Sequence, residues 1–293
     1  MNASGLPSVS VVVPVRNVAG MIGAQMSALS GQTYEGNWEL IVVDNGSSDG
    51  TRKVIDEGDW AIPQLRVINA ADAVGVSAVR NRGITEARGE LLLFCDGDDV
   101  VDGGWIAAMV RALERHDAAA GTVRVENINP AAAQVWRPQG SQVHLQRWPG
   151  FLAWGSSANL GVRAEVLREV GGFDETIPGN CGEDVDLCWR IQLAGHTLGF
   201  AAEAIVDYRL RTDSWHTLEQ AHRYAISEVF LYRRYRRRGM SRRALPDAAR
   251  AWLRGATDLV TARSQADRVR ALRILVKNVA RIRASVRFRV FYP

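Results

Sequence analysis

The sequence has little of what marks a secreted or membrane-spanning protein. Its three cysteines, Cys95, Cys181 and Cys188, follow no metal-binding spacing and are too few for a disulfide framework. No apolar run approaches the roughly 20 residues that are needed to cross a bilayer. Residues 1–8 lack a basic region followed by an apolar stretch, so we expect no secretory signal. These absences favour a cytoplasmic protein, or one that lies peripherally on the inner face of the cell membrane.

The net charge of +4 is unevenly distributed along the chain. Residues 1–230 contain 18 Lys and Arg against 29 Asp and Glu, a net charge of −11, whereas residues 231–293 contain 18 against 3, a net charge of +15. A chain of 293 residues is long enough for one large domain plus an appendage. We therefore expect one large domain over residues 1–213 and a helical, Arg-rich region over residues 214–293.

Apolar runs that are typical of buried strands alternate with segments of helical periodicity in the N-terminal part. The runs cover residues 9–13, 40–43, 65–68 and 91–95. Repeated strand–helix units of this kind predict an α/β fold with a doubly wound, mostly parallel sheet. Right-handed crossovers then place the loops that follow Val13, Val43 and Cys95 at one edge of the sheet, where such sheets bind ligands.

The loop after the fourth run is strongly acidic and reads Asp96-Gly97-Asp98-Asp99. Two carboxylates separated by one glycine can share a hard divalent cation, and such a cation often holds a diphosphate. The motif therefore predicts a metal-dependent enzyme that acts on a nucleotide-linked substrate. An ordinary acidic turn is the alternative, since Asp and Gly are frequent turn residues.

The loop after the second run also carries polar residues that a simple turn does not need. Asp44 stands at the end of a buried strand, where its carboxylate can accept hydrogen bonds from a base or a ribose. Ser48 or Asp49 is expected to cap the following helix, which explains part of the loop structurally. Asp44 is not needed for that cap.

A second acidic cluster, Glu183-Asp184-Val185-Asp186, occupies the first turn of a predicted helix. The helix macrodipole stabilises acidic residues at this end, but three in four positions exceed what capping requires. One of these carboxylates can take a proton from an acceptor hydroxyl. The helix end is expected to lower the pKa of that carboxylate, which makes it a weak base in the ground state.

Three tryptophans, Trp136, Trp148 and Trp154, lie in or beside a long loop over residues 126–150. Aromatic side chains in such a loop can stack against an acceptor sugar, face a lipid or anchor the loop on the core. The sequence leaves these three roles open.

Six segments in a fixed order resemble the family 2 glycosyltransferases, whose fold is GT-A. A lone Asp-x-Asp motif is weak evidence, whereas six ordered segments across residues 8–201 are specific. The segments are SVVVPVRN (10–17), VDNGSSDGT (43–51), RNRGI (80–84), DGDD (96–99), GGFDE (171–175) and EDVD (183–186). The resemblance implies a Rossmann-like GT-A domain, here followed by a helical basic extension.

The resemblance also implies a site for a nucleoside diphosphate sugar donor. Asp44 corresponds to the carboxylate that reads the nucleobase, usually uracil, and Pro14 and Asn17 line the same pocket. Arg80, in the third segment, is expected at the same nucleotide sugar. A UDP-sugar is therefore the expected donor.

A metal site is implied next to the donor. Asp96 corresponds to the first Asp of the Asp-x-Asp motif, near the ribose and the metal, and Gly97 separates it from Asp98. Asp98 corresponds to the direct ligand of Mn²⁺ or Mg²⁺. His216 is either a further metal ligand or an ordinary polar residue near a helix start.

The EDVD segment implies the catalytic base. Asp184 matches the general base of inverting members, Asp186 is the alternative base, and Glu183 orients the site or the acceptor. Arg209 and Arg211 lie close in sequence to His216 and can close over the diphosphate.

These features together predict an inverting, metal-dependent, hexosyltransferase-type glycosyltransferase. Its acceptor is a hydroxyl group, on a lipid-linked glycan or a polysaccharide, in cell wall or polysaccharide biosynthesis. The alternatives are a non-catalytic scaffold that binds sugar nucleotides and a nucleotidyltransferase. A nucleotidyltransferase would need a Gly-rich, basic phosphate loop near the N-terminus, which residues 14–17 do not provide.

The basic C-terminal region combines arginine with apolar residues at helical spacing. An aromatic and arginine-rich segment covers residues 230–238, and an apolar stripe covers residues 269–282. Such helices can dock on the catalytic domain or on a second copy of the chain, or lie on an anionic membrane surface. Nucleic acid is not an expected partner, because the positive charge is confined to this region.

Overall fold

The computed structural model describes residues 5–130, 140–210 and 213–293, and within them eight strands form one sheet in the order β3-β2-β1-β4-β9-β6-β10-β5. Two further strands, β7 and β8, pair in a separate ladder. The strands are β1 (Val9–Val15), β2 (Trp38–Asp44), β3 (Leu65–Asn69), β4 (Leu91–Cys95), β5 (Val100–Val101), β6 (Ala118–Arg124), β7 (Gln146–Arg147), β8 (Ala153–Trp154), β9 (Asn159–Arg163) and β10 (Leu198–Asp207).

Helices connect these strands and form the C-terminal region. They are α1 (Ala19–Ser30), α2 (Thr51–Glu57), α3 (Val76–Glu86), α4 (Trp105–Leu113), α5 (Ala164–Val170), α6 (Glu183–Leu193), α7 (Ser214–Tyr235), α8 (Leu245–Thr261) and α9 (Gln265–Arg287), with a 3₁₀ turn at Arg236–Arg238. In the part of the chain that the structure describes, no helix is both long and apolar enough to span a bilayer.

The predicted parallel sheet is confirmed for β1 to β4. Strand β1 pairs in parallel with both β2 and β4, and Val15 lies opposite Asp44 at the carboxyl end of the β1–β2 pair. Strand β9 runs antiparallel between β4 and β6, so the complete sheet is mixed but mostly parallel. The parallel register brings the loops after β1, β2 and β4 to one edge.

Both faces of the sheet are covered, which explains the unbroken apolar runs of its strands. Val11 and Val13 of β1 face a core that contains the buried side chains of α1 and α4. Val12 points to the opposite face, where it joins a core with side chains of α3, α5 and α6. This alternation follows from the two-residue period of a strand.

The first helix of the basic region packs directly against the catalytic part. Trp189 of α6 contacts Tyr235 of α7 edge-to-face, with ring centroids 5.2 Å apart. Buried Asp186 accepts hydrogen bonds from the Arg190 side chain at 2.6 Å, Arg234 at 2.8 Å and the Tyr235 hydroxyl at 2.6 Å. The start of α7 coincides with the expected domain boundary, but this shared packing leaves the division into two domains a prediction.

The remaining C-terminal helices continue this packing outward. Helix α9 packs against both α7 and α8, and Ser264 with Asp267 forms a capping box at its start. Helix α8 keeps apolar side chains on its outer face: Trp252, Leu253 and Val260 are exposed. The basic region therefore docks on the catalytic part through α7 and leaves an apolar surface on α8.

We expect Asp186→Ala to lower the free energy of unfolding by about 3–5 kcal/mol, because it removes a fully buried carboxylate that accepts from the buried Tyr235 hydroxyl and pairs with Arg190 and Arg234. The matched control is Asp56→Ala, which removes an exposed pair with Arg52 and should cost less than about 1 kcal/mol. Urea unfolding of both variants measures the difference. Equal costs for the two variants would contradict the structural role of Asp186.

Candidate active site

The carboxyl ends of β1, β2 and β4 open into a cleft of about 590 Å³, called here the main cleft. Its walls come from the loop after β1, from α3, from the acidic loop after β4 and from the start of α6. Eight of the residues predicted from sequence line it: Pro14, Arg80, Asp96, Gly97, Asp98, Glu183, Asp184 and His216.

Asn17 and Asp44 lie beside the main cleft and join the loops that follow β1 and β2. The Asn17 amide donates to the Ser47 hydroxyl at 3.1 Å, and the Asn17 side-chain oxygen accepts from the Ser48 amide at 2.8 Å. The Asp44 carboxylate accepts from the Ser47 amide at 3.0 Å and from its hydroxyl at 2.6 Å. Asn17 and Asp44, both predicted to lie at the sugar nucleotide, thus contribute to holding the loop after β2 against the loop after β1.

The helix cap expected in this loop is wrong. Gly50, in a left-handed conformation, occupies the N-cap position of α2 and provides no side-chain cap. Asp49 instead accepts from the Ala19 amide at 2.9 Å and from the Thr51 amide at 3.0 Å. Its carboxylate therefore ties the starts of α1 and α2 together.

The acidic loop after β4 lies tightly against β1. A Cβ atom added at Gly97 would approach the Val15 side chain to 2.6 Å and the Pro14 carbonyl oxygen to 3.3 Å. Gln25 supports the loop from α1, because its side-chain amide donates to the Asp96 carbonyl at 3.0 Å. Glycine between the two aspartates therefore allows the loop to fit at this position.

Asp96, Asp98 and Asp99 bring carboxylate oxygens within 4.8 Å of one another, and we call this group the acidic cluster. Asp99 is buried and its Oδ1 accepts from the Arg209 amide at 2.8 Å, while its Oδ2 has no hydrogen-bond partner among the described residues. Burial, together with the charges of Asp96 and Asp98, raises the pKa of Asp99 well above its usual range. Three carboxylates that lie this close together fit a hard divalent cation.

The roles of Asp99 and Gln25 were missed at the sequence level. The sequence did contain a signal for Asp99, because it is a third acidic residue in the same loop. It contained none for Gln25, since a glutamine in an amphipathic helix is ordinary. Arg209, expected near the diphosphate, donates from its Nε to the Asp98 carbonyl at 2.8 Å and so braces the acidic cluster. Arg211 lies outside the described residues.

Arg80 connects the acidic cluster to the start of α6. It is only 3% exposed, and its guanidinium donates to Asp96 at 2.8 Å and to Glu183 at 2.9 Å. The same group lies 5.4 Å from the ring centroid of Phe173. Burial opposes its charge, but the carboxylates of Asp96 and Glu183 outweigh burial and raise the pKa of Arg80. Arg80 therefore fixes the relative positions of two carboxylates from distant parts of the chain.

Asp184 presents its carboxylate to the main cleft. Its oxygens accept from the Ser157 amide at 3.3 Å and from the Val185 amide at 2.8 Å. Burial, followed by the negative charge of Glu183, raises the pKa of Asp184 to about 7. The expectation that the helix end would lower this pKa is wrong, because burial outweighs the helix terminus.

Two predicted site residues stand apart from this arrangement. Asp186 is fully buried behind Asp184 on α6, outside the residues that line the main cleft, and its oxygens are engaged by Arg190, Arg234 and Tyr235. His216 lies at the rim with a half-exposed side chain, and its Nδ1 is 3.0 Å from an Asp213 oxygen. Among the described residues, the acidic cluster does not include His216.

A second cavity of about 300 Å³, called here the side cavity, adjoins the main cleft. Six residues line both spaces: Ser156, Gly182, Asp184, Tyr208, Gln220 and Tyr224. Trp148 and Trp154 line the side cavity, whereas Trp136 lies outside the described residues. Asp184 therefore stands between two spaces, one beside the acidic cluster and one beside aromatic rings.

Comparison with known sequences identifies the family of this chain. The model described as Glycosyl transferase family 2 matches residues 10–171, and that described as Glycosyl transferase family group 2 matches residues 91–262. The chain is 31% identical over 205 residues to Glycosyltransferase AglE of Haloferax volcanii, covering 69% of this chain and 67% of AglE. It is 30% identical over 217 residues to Pre-mycofactocin glycosyltransferase of Mycobacterium tuberculosis, covering 71% of this chain and 44% of that protein.

Solved structures share the fold. The mannosyltransferase PcManGT from Pyrobaculum calidifontis, in complex with GDP-Man and Mn²⁺, matches with a TM-score of 0.64 and 18% identity over 96% of this chain and 87% of that chain. S. aureus TarS in complex with UDP matches with a TM-score of 0.55 and 17% identity over 98% of this chain and 93% of that chain. These matches confirm the GT-A fold and the predicted resemblance. The chain belongs to glycosyl transferase family 2 and is a glycosyltransferase.

Proposed function

We propose that the protein is an inverting, metal-dependent glycosyltransferase that moves a sugar, of the hexose type, from a nucleoside diphosphate sugar to an acceptor hydroxyl group. The observation that carries this proposal is the position of Asp184, a carboxylate with a pKa near 7 between the main cleft and the side cavity. A base at this junction can serve a donor on one side and an acceptor on the other.

The donor lies in the main cleft. Pro14, Asn17 and Asp44 form or support the wall at the carboxyl ends of β1 and β2, where the base of a UDP-sugar is expected. The related fold of PcManGT binds GDP-Man and that of TarS binds UDP, so the same cleft position suits more than one base. The base of the donor therefore stays a prediction.

Asp96, Asp98 and Asp99 are the residues that would hold Mn²⁺ or Mg²⁺. When bound, such a cation neutralises the charge that develops on the diphosphate as it leaves. Gln25 and Arg209 keep the loop in place, and Arg80 prevents Asp96 from moving away from Glu183. A contribution from His216 would require this exposed side chain to turn away from Asp213.

Asp184 acts as the general base. The acceptor O–H proton moves to an Asp184 carboxylate oxygen, the acceptor oxygen forms a bond to the anomeric carbon, and the bond from that carbon to the diphosphate oxygen breaks. Because the attack comes from the face opposite the leaving group, a single displacement inverts the configuration. The raised pKa makes Asp184 a stronger base than an ordinary aspartate, and Arg80 fixes the neighbouring Glu183 at the start of the same helix.

The basic region brings the enzyme to its acceptor on an anionic membrane. Exposed Trp252, Leu253 and Val260 on α8 provide apolar anchors, and residues 231–293 carry a net charge of +15. Apolar side chains in a strongly cationic surface suit the interface of a membrane with anionic lipids. A lipid-linked glycan acceptor would be presented at that surface. The alternative is that a second copy of the chain covers the same apolar face.

Nucleotide binding tests the donor site. We expect one of UDP, GDP and dTDP to bind the wild type with Mn²⁺ or Mg²⁺ and to lose affinity by about 100-fold or more with EDTA or in Asp98→Ala. Asp72→Ala, at an exposed acidic residue, is the matched control and should bind normally. Calorimetry measures all combinations. If no nucleotide binds under any condition, the proposed donor site is wrong.

Replacement of the base tests the mechanism and the raised pKa together. Asp184→Asn should bind nucleotide as the wild type does, and its turnover should fall by about 1,000-fold. Its free energy of unfolding at pH 8 should rise by about 1–3 kcal/mol. The gain arises because the folded pKa of Asp184 exceeds its unfolded value, so the wild type loses stability as pH rises from about 4 to about 7. Turnover and urea unfolding across pH measure these effects.

The control variant Asp213→Asn is expected to show no such gain in unfolding free energy. The His216 amide donates to Asp213 and lowers the pKa of Asp213, so its ionised form stabilises the protein and this variant should gain nothing at pH 8.

Wild-type turnover should rise with pH to a plateau above about 7. A flat profile from pH 5 to 9 would exclude Asp184 as a base that titrates near neutrality.

Vesicle sedimentation tests the membrane surface. The double variant Leu253→Ser, Val260→Ser should bind vesicles with anionic lipid at least about tenfold more weakly than the wild type, since each buried side chain contributes about 1.5 kcal/mol. Val74→Ser, at an exposed apolar residue of the catalytic part, is the control. Binding should fall with added salt. If the wild type does not bind vesicles but forms dimers in sedimentation velocity, the apolar face of α8 serves self-association instead.

A further inference from the structure

The side cavity is built jointly by the catalytic part and the basic region. Trp148, Trp154 and Asp184 come from the catalytic part, and Tyr224 and Leu231 come from α7. The side cavity contacts none of the three residues of the acidic cluster. Whatever occupies it therefore reaches Asp184 from the side away from the metal-binding residues.

One wall of the side cavity is cationic. Arg273 and Lys277, one turn apart on α9, both line it. Lys277 is partly buried and makes no hydrogen bond or ion pair with any residue that the structure describes. Burial lowers the pKa of Lys277, which shows that its ammonium group is poorly solvated. A poorly solvated cation that faces a cavity favours an anionic partner there.

The charges around Lys277 do not supply that partner. Glu228 also lines the side cavity, but its carboxylate already accepts from Arg281 at 2.8 Å and from the Tyr292 hydroxyl at 2.8 Å. Arg243 and Arg281 add further positive charge near Lys277. Among the described residues, two carboxylates line the side cavity, those of Glu228 and Asp184, and Glu228 is already engaged by Arg281 and Tyr292.

Another part of the lining suits a sugar ring. Trp148 and Trp154 expose part of their rings to the side cavity, together with Leu231. Trp148 is held by an edge-to-face contact with Trp189, whose ring centroid lies 5.8 Å away. Fixed aromatic rings offer an apolar surface to the C–H face of a sugar without loss of side-chain freedom.

We propose that the side cavity binds an anionic acceptor, a sugar that bears a phosphoryl or carboxylate group, with the ring against Trp148 and Trp154 and the anion at Lys277 and Arg273. This inference rests on the proposed function, because Asp184 would then deprotonate a hydroxyl of the sugar held between these two walls. The charged end of the acceptor lies at α9, so the basic region takes part in acceptor selection.

Binding of three sugars that share a glucose-type ring and differ in their charged group tests this site. Glucose 1-phosphate, glucuronate and methyl glucoside are titrated by calorimetry into the wild type in EDTA, so that no metal holds an anion in the main cleft. We expect at least one charged sugar to bind about tenfold or more tightly than methyl glucoside, as one charge-assisted hydrogen bond provides. Preference for one of the two charged sugars distinguishes a phosphoryl from a carboxylate acceptor.

Variants of α9 assign the anion to Lys277. Lys277→Gln should reduce binding of the charged sugar to the level of methyl glucoside, and Lys277→Arg, which keeps the charge, should retain the preference. Arg283→Gln removes an exposed cation from the same helix and should behave as the wild type. Equal binding of all three sugars by the wild type, or an undiminished preference in Lys277→Gln, would overturn the proposal. Metal-dependent nucleotide binding is measured separately, so failure of the donor site is distinguishable from failure here.

Discussion

The buried guanidinium of Arg80 is the interaction on which the site depends. It joins Asp96, at the end of a central strand, to Glu183, at the start of α6, and it is closed off from water by Phe173. A buried cation with two carboxylate partners is costly to leave half-paired, so each contact reinforces the other. The acidic cluster and the proposed base are thereby held in one arrangement, although they come from distant parts of the sequence.

Burial and pairing give neighbouring carboxylates different properties. Among the described residues, Asp184 accepts from two backbone amides and forms no ion pair, and burial raises its pKa to about 7. Asp186, two residues later, is more deeply buried but has Arg190, Arg234 and Tyr235 as donors. The first is therefore suited to exchange a proton, and the second is suited to fasten α7 to α6.

The basic region is more than an appendage to the catalytic part. Helix α7 shares aromatic packing with α6, and α9 contributes two cations to the side cavity beside Asp184. The outer face of α8 keeps apolar side chains that the catalytic part does not cover. One region thus combines a structural contact, a wall of the proposed acceptor site and the surface that we propose for membrane binding.

The sequence by itself determined the elements whose signals are local. The β-branched and apolar runs predicted β1 to β4, and the ordered polar segments predicted the family and seven of the residues that line the main cleft. It did not indicate β6, because Ala118–Arg124 is rich in alanine and has no strand-like pattern. Only the tertiary structure decided that β9 lies antiparallel inside the sheet, that burial raises the pKa of Asp184, and that Lys277 faces the same cavity as Asp184. Each of these depends on groups far apart in sequence, and no local pattern records which of them meet.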